Sequence, residues 1–270
     1  LFKFVFITGL LYDKITLLTE KDMGENTKID ILGIPVDCVA LGDALSVFQD
    51  LLASDSMALI ATPNSEILMR ASRDPSLAGI LKRAELVIPD GVGLLLASKL
   101  LGQPLKARVA GIDFAFRALQ LSAELGRSVY FLGGKPGIAE KAAENVKQRI
   151  PGLSVAGTRH GYFTGDEIPS VIAEINSSQA DFICVAMGSP AQERFIDDHR
   201  KQLNAKVGIG IGGSFDIWSG TLKRAPAFYR DHGLEWLYRL FQEPSRVSRI
   251  RVLPLFLLKV AGQKWRQAGA

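Results

Sequence analysis

Asp90 is the acidic residue whose neighbours in the sequence best fit a catalytic role. It follows a run of apolar residues and precedes two glycines, in Pro89-Asp90-Gly91-Val92-Gly93. A carboxylate in such a position can take a proton from a substrate hydroxyl, and the glycines leave room for that substrate. Aspartate is also a common residue at helix N-caps. The sequence therefore leaves two roles for Asp90, a general base or the cap of a helix that begins near Val92.

Polar, glycine-rich segments follow other apolar runs of the chain as well. They are Thr62-Pro63-Asn64-Ser65-Glu66, Gly133-Gly134-Lys135-Pro136-Gly137, Gly188-Ser189-Pro190-Ala191-Gln192-Glu193 and Gly212-Gly213-Ser214-Phe215-Asp216. The second and third lead into helices that begin at a proline, where backbone N–H groups and the helix dipole favour a phosphate. Neither has the GxxxxGK[ST] pattern of a P-loop. Residues 208–213 satisfy GxGxxG, but no long helix follows them, and NAD(P) binding remains the weaker alternative.

The elements that must position these residues are short apolar runs that alternate with helical patterns. Strands are predicted over residues 30–34, 58–62, 85–89, 128–133, 154–157, 181–188 and 207–212. Helices are predicted over residues 42–53, 65–72, 112–126, 136–149, 166–176 and 191–201. This alternation predicts an α/β fold with a mostly parallel, Rossmann-like sheet and helices on both faces. In such a sheet the ligand lies beyond the carboxyl ends of the strands, where the polar segments follow.

Composition excludes several classes of protein. The chain has 270 residues, of which 47% are hydrophobic and 22% charged, so it is not disordered, collagen-like or a small disulfide-stapled domain. Cys38 and Cys184 lie far apart in apolar runs, which predicts buried free thiols in a reducing compartment. The three histidines are scattered along the chain, and no cysteine pair has metal-ligand spacing. We therefore expect no metal site.

Positive charge is concentrated in the C-terminal region. Residues 223–270 contain ten Lys or Arg and three Asp or Glu, a net of +7, so the preceding residues carry −3 of the chain's +4. On charge alone, nucleic acid and an anionic membrane are both possible partners. The apolar run 252–260 is too short to span a bilayer and has cations on both sides, followed by Trp265. It predicts either a segment in a membrane interface or a helix packed on the body.

Three regions follow from these patterns. Residues 1–28 are predicted to be an N-terminal extension outside the core, residues 29–222 the α/β core, and residues 223–270 a basic C-terminal appendage. The first 11 residues are apolar but lack a cleavage site, so a signal peptide is only weakly indicated.

Several longer motifs make the sequence similar to a known family. They are ATPNSE (61–66), IPDGVG (88–93), RVAGID (108–113), FLGGKPGIAEKAAENV (131–146), GYF (161–163), MGSPAQERFI (187–196), GIGGSFDIWSGTLKRAP (210–226) and GLEWLYRLFQEPSR (233–246). Together they resemble the WecG/TagA/CpsF glycosyltransferases of bacterial cell-surface polysaccharide synthesis. The resemblance extends from about residue 29 to residue 251.

This resemblance implies an inverting glycosyltransferase. The expected donor is a UDP-sugar carrying N-acetylmannosamine or its uronic acid, and the expected acceptor is a saccharide on undecaprenyl diphosphate, such as N-acetylglucosamine. No cofactor and no metal are implied, and the chain has no DxD tripeptide. The implied location is the cytoplasmic face of the cell membrane, with peripheral attachment to anionic lipid, a possible homo-oligomer and no nucleic-acid partner. The alternatives left open are an NAD(P)-dependent oxidoreductase and a non-catalytic membrane scaffold.

The resemblance also suggests a role for individual residues. Asp90 matches the general base that takes the proton of the acceptor hydroxyl. The residues expected to bind donor sugar, diphosphate or nucleotide are Thr62, Asn64, Arg108, Gln192, Gly133, Gly134, Gly213 and Asp216. The residues expected to reach the lipid diphosphate are Arg239, Arg246 and Arg249.

Overall fold

A parallel β-sheet forms the centre of the protein. The computed structural model describes residues 27–231, 234–242 and 252–268. Within them, an antiparallel hairpin (β1 Lys28–Ile31, β2 Ile34–Asp37) precedes a six-stranded sheet in the order β4-β3-β8-β7-β5-β6, all parallel. Its strands are β3 Ala58–Ala61, β4 Leu86–Val87, β5 Ser128–Gly133, β6 Ser154–Arg159, β7 Phe182–Ala186 and β8 Val207–Gly210. The predicted α/β fold is therefore confirmed.

Helices connect these strands and follow the last of them. They are α1 Leu41–Leu52, α2 Ser65–Ala71, α3 Pro75–Arg83, α4 Val92–Leu101, α5 Gly111–Glu124, α6 Ile138–Arg149, α7 Ile168–Ser177, α8 Ala191–His199, α9 Ser214–Trp218, α10 Ala227–Asp231, α11 Glu235–Gln242 and α12 Val252–Ala268. Helices α9, α10 and α11 were not predicted from the sequence, and neither was α3. Its start carries a recognisable signal, because Asp74 accepts hydrogen bonds from two backbone N–H groups and Pro75 opens the helix.

Both faces of the sheet are covered by helices. Along β3, Leu59 and Ala61 belong to one buried cluster and Ile60 to the other, as the alternation of side chains in a strand requires. The first cluster packs against the hairpin and against α2, α3, α4, α7, α8 and α12. The second packs against α1, α5, α6 and α9.

The predicted strand over 30–34 is wrong. The chain turns back within it, and Ile31 pairs with Ile34 across a two-residue turn. Leu32 and Gly33 both have positive φ, 55° and 82°, as the commonest tight hairpin turns require, and Asp30 Oδ1 accepts a hydrogen bond from Gly33 N. A leucine rarely adopts such a φ, so local residue preference does not indicate this turn.

Helix α12 packs on the α/β body. Phe256 and Val260 are fully buried against it, and α12 contacts α4 and α2. The side chain of Gln263 joins α12 to the hairpin, since its Nε2 donates to Asp30 O and its Oε1 accepts from Leu32 N. This is the packed helix that the sequence left as one of two possibilities. No helix among the described residues has the length and apolar character needed to cross a membrane.

Candidate functional site

A cavity of about 480 Å³ lies at the carboxyl edge of the sheet. This volume lies in the range of small-molecule binding sites. Its floor comes from the segments that follow β3, β4, β7 and β8, as expected for a parallel sheet. Its outer wall comes from the C-terminal helices, through Glu235 and Leu240 of α11 and Val252 and Leu253 of α12. The cavity therefore lies between the ends of the strands and the C-terminal helices.

Thr62 and Asn64 follow β3 and line the cavity. Thr62 Oγ1 donates a hydrogen bond to Gly210 O at 2.9 Å, which ties the end of β3 to the neighbouring β8. Asn64 is the N-cap of α2, and its Oδ1 accepts from the backbone N–H groups of Glu66 and Ile67 at 2.9 and 3.1 Å. Because these bonds fix the amide oxygen, the NH₂ group of Asn64 is the part available to a ligand.

Asp90 lies beside Asn64 at the end of β4. Its backbone N–H donates to Pro63 O at 3.1 Å, so the segments after β3 and β4 are held together. The N-cap of α4 is Gly91, which has φ 88°, so Asp90 does not occupy the cap position that the sequence had left as its alternative role. Asp90 is half-buried and lines the cavity. This placement suits a carboxylate that accepts a proton from a bound substrate.

Arg108 enters the cavity from the segment before α5 and pairs with Glu235 of α11. Their charged atoms lie 3.2 Å apart, and the two side chains are 14% and 16% exposed. Arg108 was predicted from the sequence as a site residue, whereas Glu235 was not. The sequence marks Glu235 as an acidic residue within a basic segment. Its position at the cavity depends on the tertiary packing of α11, which the sequence does not indicate.

Gln192 opens α8 and is buried beneath the turn that follows β8. Its Oε1 accepts from Gly212 N at 3.0 Å, and its Nε2 donates to Glu193 Oε1 at 2.9 Å. Burial raises the pKa of the Glu193 carboxyl, against the opposing effects of the hydrogen bond from Gln192 and the positive charge of Arg70. Glu193 is a second residue near the cavity that was not predicted from the sequence.

A bridge across the cavity rim joins α2 to the turn before α8. The guanidinium of Arg70 donates to Ser189 O, and it also lies 3.9 Å from the carboxylate of Glu66 in the preceding turn. Glu66, Arg70 and Ser189 all line the cavity. In the described part of the chain, no group of three or more His, Cys, Asp or Glu is placed to hold a metal ion.

Not every predicted site residue lies in this cavity. Gly213 lines it, whereas Gly133, Gly134 and Asp216 are not among its lining residues. The turn after β5 is at the same edge of the sheet, because Gly134 N donates to Ala186 O at the end of β7. The nucleotide-binding role of this turn stays a prediction. The side chain of Arg239 in α11 is not described, and Arg246 and Arg249 lie outside the described residues.

Gly133 has a packing role in the structure. Its φ is 136°, and a Cβ added to it would lie 2.4 Å from Ala186 O. We expect Gly133→Ala to lower the free energy of unfolding by about 3 kcal/mol, because backbone must move to admit the methyl group. Gly42→Ala is the control, since a Cβ there meets nothing within 4 Å and helix α1 gains stability. Chemical denaturation of both variants measures the difference, and equal stabilities would contradict this packing role.

The glycine run 208–213 is not a dinucleotide-binding turn. Gly208 and Gly210 lie inside β8, where a Cβ would meet Ile196 at 2.9 Å and the Gln192 amide at 2.5 Å. The helix that follows, α9, has five residues. These two glycines allow α8 to pack closely on the sheet. The GxGxxG pattern therefore does not support the alternative of an NAD(P)-dependent oxidoreductase.

Comparisons with known proteins agree with this geometry. Residues 29–270 match the glycosyl transferase WecG/TagA/CpsF family. The chain is 37% identical over 203 residues to an N-acetylglucosaminyldiphosphoundecaprenol N-acetyl-beta-D-mannosaminyltransferase of Bacillus spizizenii, covering 75% of this chain and 78% of the relative. It is 31% identical over 249 residues to a protein of the same name in Staphylococcus aureus strain MRSA252, covering 92% and 97% of the two chains. The chain therefore belongs to the WecG/TagA/CpsF family and is a glycosyltransferase.

Proposed function

We propose that this glycosyltransferase moves N-acetylmannosamine from a UDP-sugar to N-acetylglucosamine carried on undecaprenyl diphosphate. The observation that carries the proposal is the shared name of relatives that align with most of the chain, which are N-acetylmannosaminyltransferases of that acceptor. The cavity supports it, since it gathers Asp90, Arg108 and the backbone of Gly212 and Gly213 around one space.

The charges of the cavity favour an uncharged donor sugar over a uronic acid. Arg70 lies near Glu66, and Arg108 pairs with Glu235, so each cavity arginine already faces a carboxylate. The diphosphate, which both donors carry, is the anion that we assign to Arg108. The carboxylate of a uronic acid would be a further anion competing with Glu66 and Glu235 for the guanidinium groups. We therefore propose N-acetylmannosamine, rather than its uronic acid, as the transferred sugar.

The proposed reaction is a single inverting displacement. Asp90 takes the proton of an acceptor hydroxyl while that oxygen forms a bond to the anomeric carbon of the donor. The bond between the anomeric carbon and the diphosphate oxygen breaks on the opposite face, and the electron pair leaves with UDP. We assign the stabilisation of the negative charge that develops there to Arg108 and to the Gly213 backbone, which line the cavity, with a contribution from the N-terminal dipole of α8.

A panel of donors tests this proposal. Purified protein is incubated with lipid-linked N-acetylglucosamine and, separately, with UDP-N-acetylmannosamine, UDP-N-acetylmannosaminuronic acid, UDP-N-acetylglucosamine or UDP-glucose, and UDP release and product mass are measured. We expect product with UDP-N-acetylmannosamine and no more than traces with the others. Transfer of a different sugar would overturn the assignment of the donor, and no transfer from any donor would overturn the proposed reaction.

We also propose that the protein binds the inner surface of the membrane peripherally through α12. Leu258 and Trp265 of this helix are 69% and 83% exposed, and their spacing of seven residues puts them on one face with Leu255. Lys264 and Arg266 add positive charge beside them. An exposed apolar stripe with adjacent cations is typical of helices that lie in an anionic membrane interface.

Replacing the outward side chains of α12 tests the membrane proposal without disturbing the buried Phe256. The double variant Leu258→Ser with Trp265→Ser should bind vesicles containing anionic lipid at least about tenfold more weakly, because two apolar side chains no longer enter the interface. Leu125→Ser is the control, since Leu125 is an exposed leucine at the end of α5. Co-sedimentation with vesicles measures the binding. Equal binding by the double variant and the control would contradict this surface assignment.

A further inference from the structure

Glu193 is a buried carboxyl group directly behind the cavity. It is 2% exposed, and its neighbour Gln192 is 3% exposed. One oxygen, Oε1, accepts the hydrogen bond from Gln192 Nε2, and the hydroxyl of Ser189 is a further donor that favours the ionised carboxyl group. Burying a carboxyl group is unfavourable for folding even when hydrogen bonds offset part of the cost. An apolar side chain would fill this place at lower cost, so the presence of an acid suggests a functional reason.

The hydrogen bonds around Gln192 determine how its amide is oriented. Gly212 N can only donate, so the amide atom 3.0 Å from it must be the oxygen. The NH₂ group then points to Glu193, as the 2.9 Å contact between Nε2 and Oε1 requires. Gly210 confines the amide from a third side, because a Cβ at that position would lie 2.5 Å from Nε2. The amide of Gln192 is thus held in one orientation.

This orientation leaves a second N–H of Gln192 with no acceptor among the described residues. A glutamine amide carries two N–H bonds, and among the described residues Glu193 accepts one of them. Gln192 lines the cavity, next to Gly188 and Gly212. The second N–H can therefore donate to a substrate oxygen. Without the acceptor behind it, the amide would lose the contact that holds its nitrogen in place.

Burial raises the pKa of Glu193, and its surroundings offset part of this effect. It lies in the first turn of α8, where the helix dipole favours an acid. The positive charge of Arg70, which donates to the neighbouring Ser189 O, also favours the ionised carboxyl group. These two features offset part of the cost of burial. Glu193 therefore supports Gln192 from behind the cavity and does not itself line it.

We propose that Glu193 is a positioning residue, whose carboxylate holds the Gln192 amide so that its second N–H donates to an oxygen of the sugar donor in the transition state. This inference rests on the proposed transfer reaction. It adds to that reaction a residue that acts through Gln192 and does not touch the substrate.

A double-mutant cycle on the full-length protein tests the inference. Glu193→Met removes the acceptor while keeping the length of the side chain, and Gln192→Ala removes the amide. We expect each single variant to lower kcat about 30-fold to 100-fold, because a donor to the transition state is lost or misplaced. The double variant should be no slower than Gln192→Ala, because Glu193 has no separate role once the amide is gone. Glu193→Gln, which restores an acceptor oxygen, should recover most of the activity.

Three results would overturn the positioning role. The first is a double variant whose fold-decrease in kcat is the product of the two single decreases. The others are a Glu193→Met variant with a kcat within twofold of wild type, or a Glu193→Gln variant as slow as Glu193→Met. Thermal unfolding and calorimetric UDP binding verify that each variant is folded. If Glu193→Met does not fold, Glu193→Asp is used in its place. The shorter side chain moves the carboxylate away from the Gln192 amide, so kcat should fall as expected for Glu193→Met. Wild-type protein that transfers no sugar would instead contradict the proposed function.

Discussion

Asp90→Asn is expected to lower kcat for sugar transfer by at least about 100-fold. The amide has the size and shape of the carboxylate but cannot take the proton of the acceptor hydroxyl. The attacking oxygen would then carry a growing positive charge in the transition state. Asp90 lines the cavity beside Asn64 and is not needed as the cap of α4, because Gly91 occupies that position. Steady-state release of UDP, measured with saturating acceptor, gives the kcat of each protein.

The controls for Asp90→Asn separate chemistry from folding and from binding. Asp50→Asn makes the same chemical change at an exposed position of α1 and should leave kcat unchanged. Calorimetry should show that Asp90→Asn binds UDP with an affinity within about threefold of wild type, because a general base contributes little to binding of the nucleotide product. An Asp90→Asn variant as fast as the wild type would rule out Asp90 as the base.

Arg108→Gln is expected to lower kcat/KM by about 100-fold or more, because the variant loses a charge that stabilises the departing diphosphate. It also leaves Glu235 without the guanidinium 3.2 Å away, with its side chain 16% exposed. Removing one partner of a largely buried ion pair is destabilising, because the remaining charge loses a close opposite charge. The single variant should therefore be less stable than wild type, by about 2 kcal/mol. Thermal unfolding and the transfer assay measure the two effects separately.

A second substitution distinguishes the two roles of Arg108. In the double variant Arg108→Gln with Glu235→Gln, both charges are gone, and two amides of similar size remain in contact distance. We expect the stability to return to within about 0.5 kcal/mol of wild type while the transfer rate stays low. Recovery of the rate together with the stability would mean that Arg108 serves only to hold α11 against the body, and it would remove Arg108 from the proposed mechanism.

Most strands of the sheet were predicted from the sequence because they are apolar runs followed by Gly, Pro or Asn, and the more polar β6 is the exception. The rule that ligands lie beyond the carboxyl ends of parallel strands then placed Thr62, Asn64, Asp90 and Gln192 at one edge, and the structure brings all four to the same cavity. That rule says nothing about the order of the strands. In the observed order β7 stands between β5 and β8, so the turn after β5 lies one strand further away from the cavity.

The outer wall of the cavity was beyond what the sequence could predict. Glu235 and Leu253 reach the site only because α11 and α12 fold back over the body, and nothing in their own sequence pattern specifies that contact. Glu193 was missed for a related reason. An acid in the first turn of a helix is ordinary, and only the burial of α8 against β8 shows that this acid lies in the interior.

The position of the outer wall has a consequence for protein synthesis. Glu235, Leu240, Val252 and Leu253 are translated after every strand of the sheet. A nascent chain whose sheet has already left the ribosome would hold Asp90 and Gln192 in place, yet its cavity would stand open to water on one side. We therefore expect sugar transfer only after α12 has been synthesised and has left the ribosome. A polypeptide released before residue 235 should have an intact sheet and transfer no sugar.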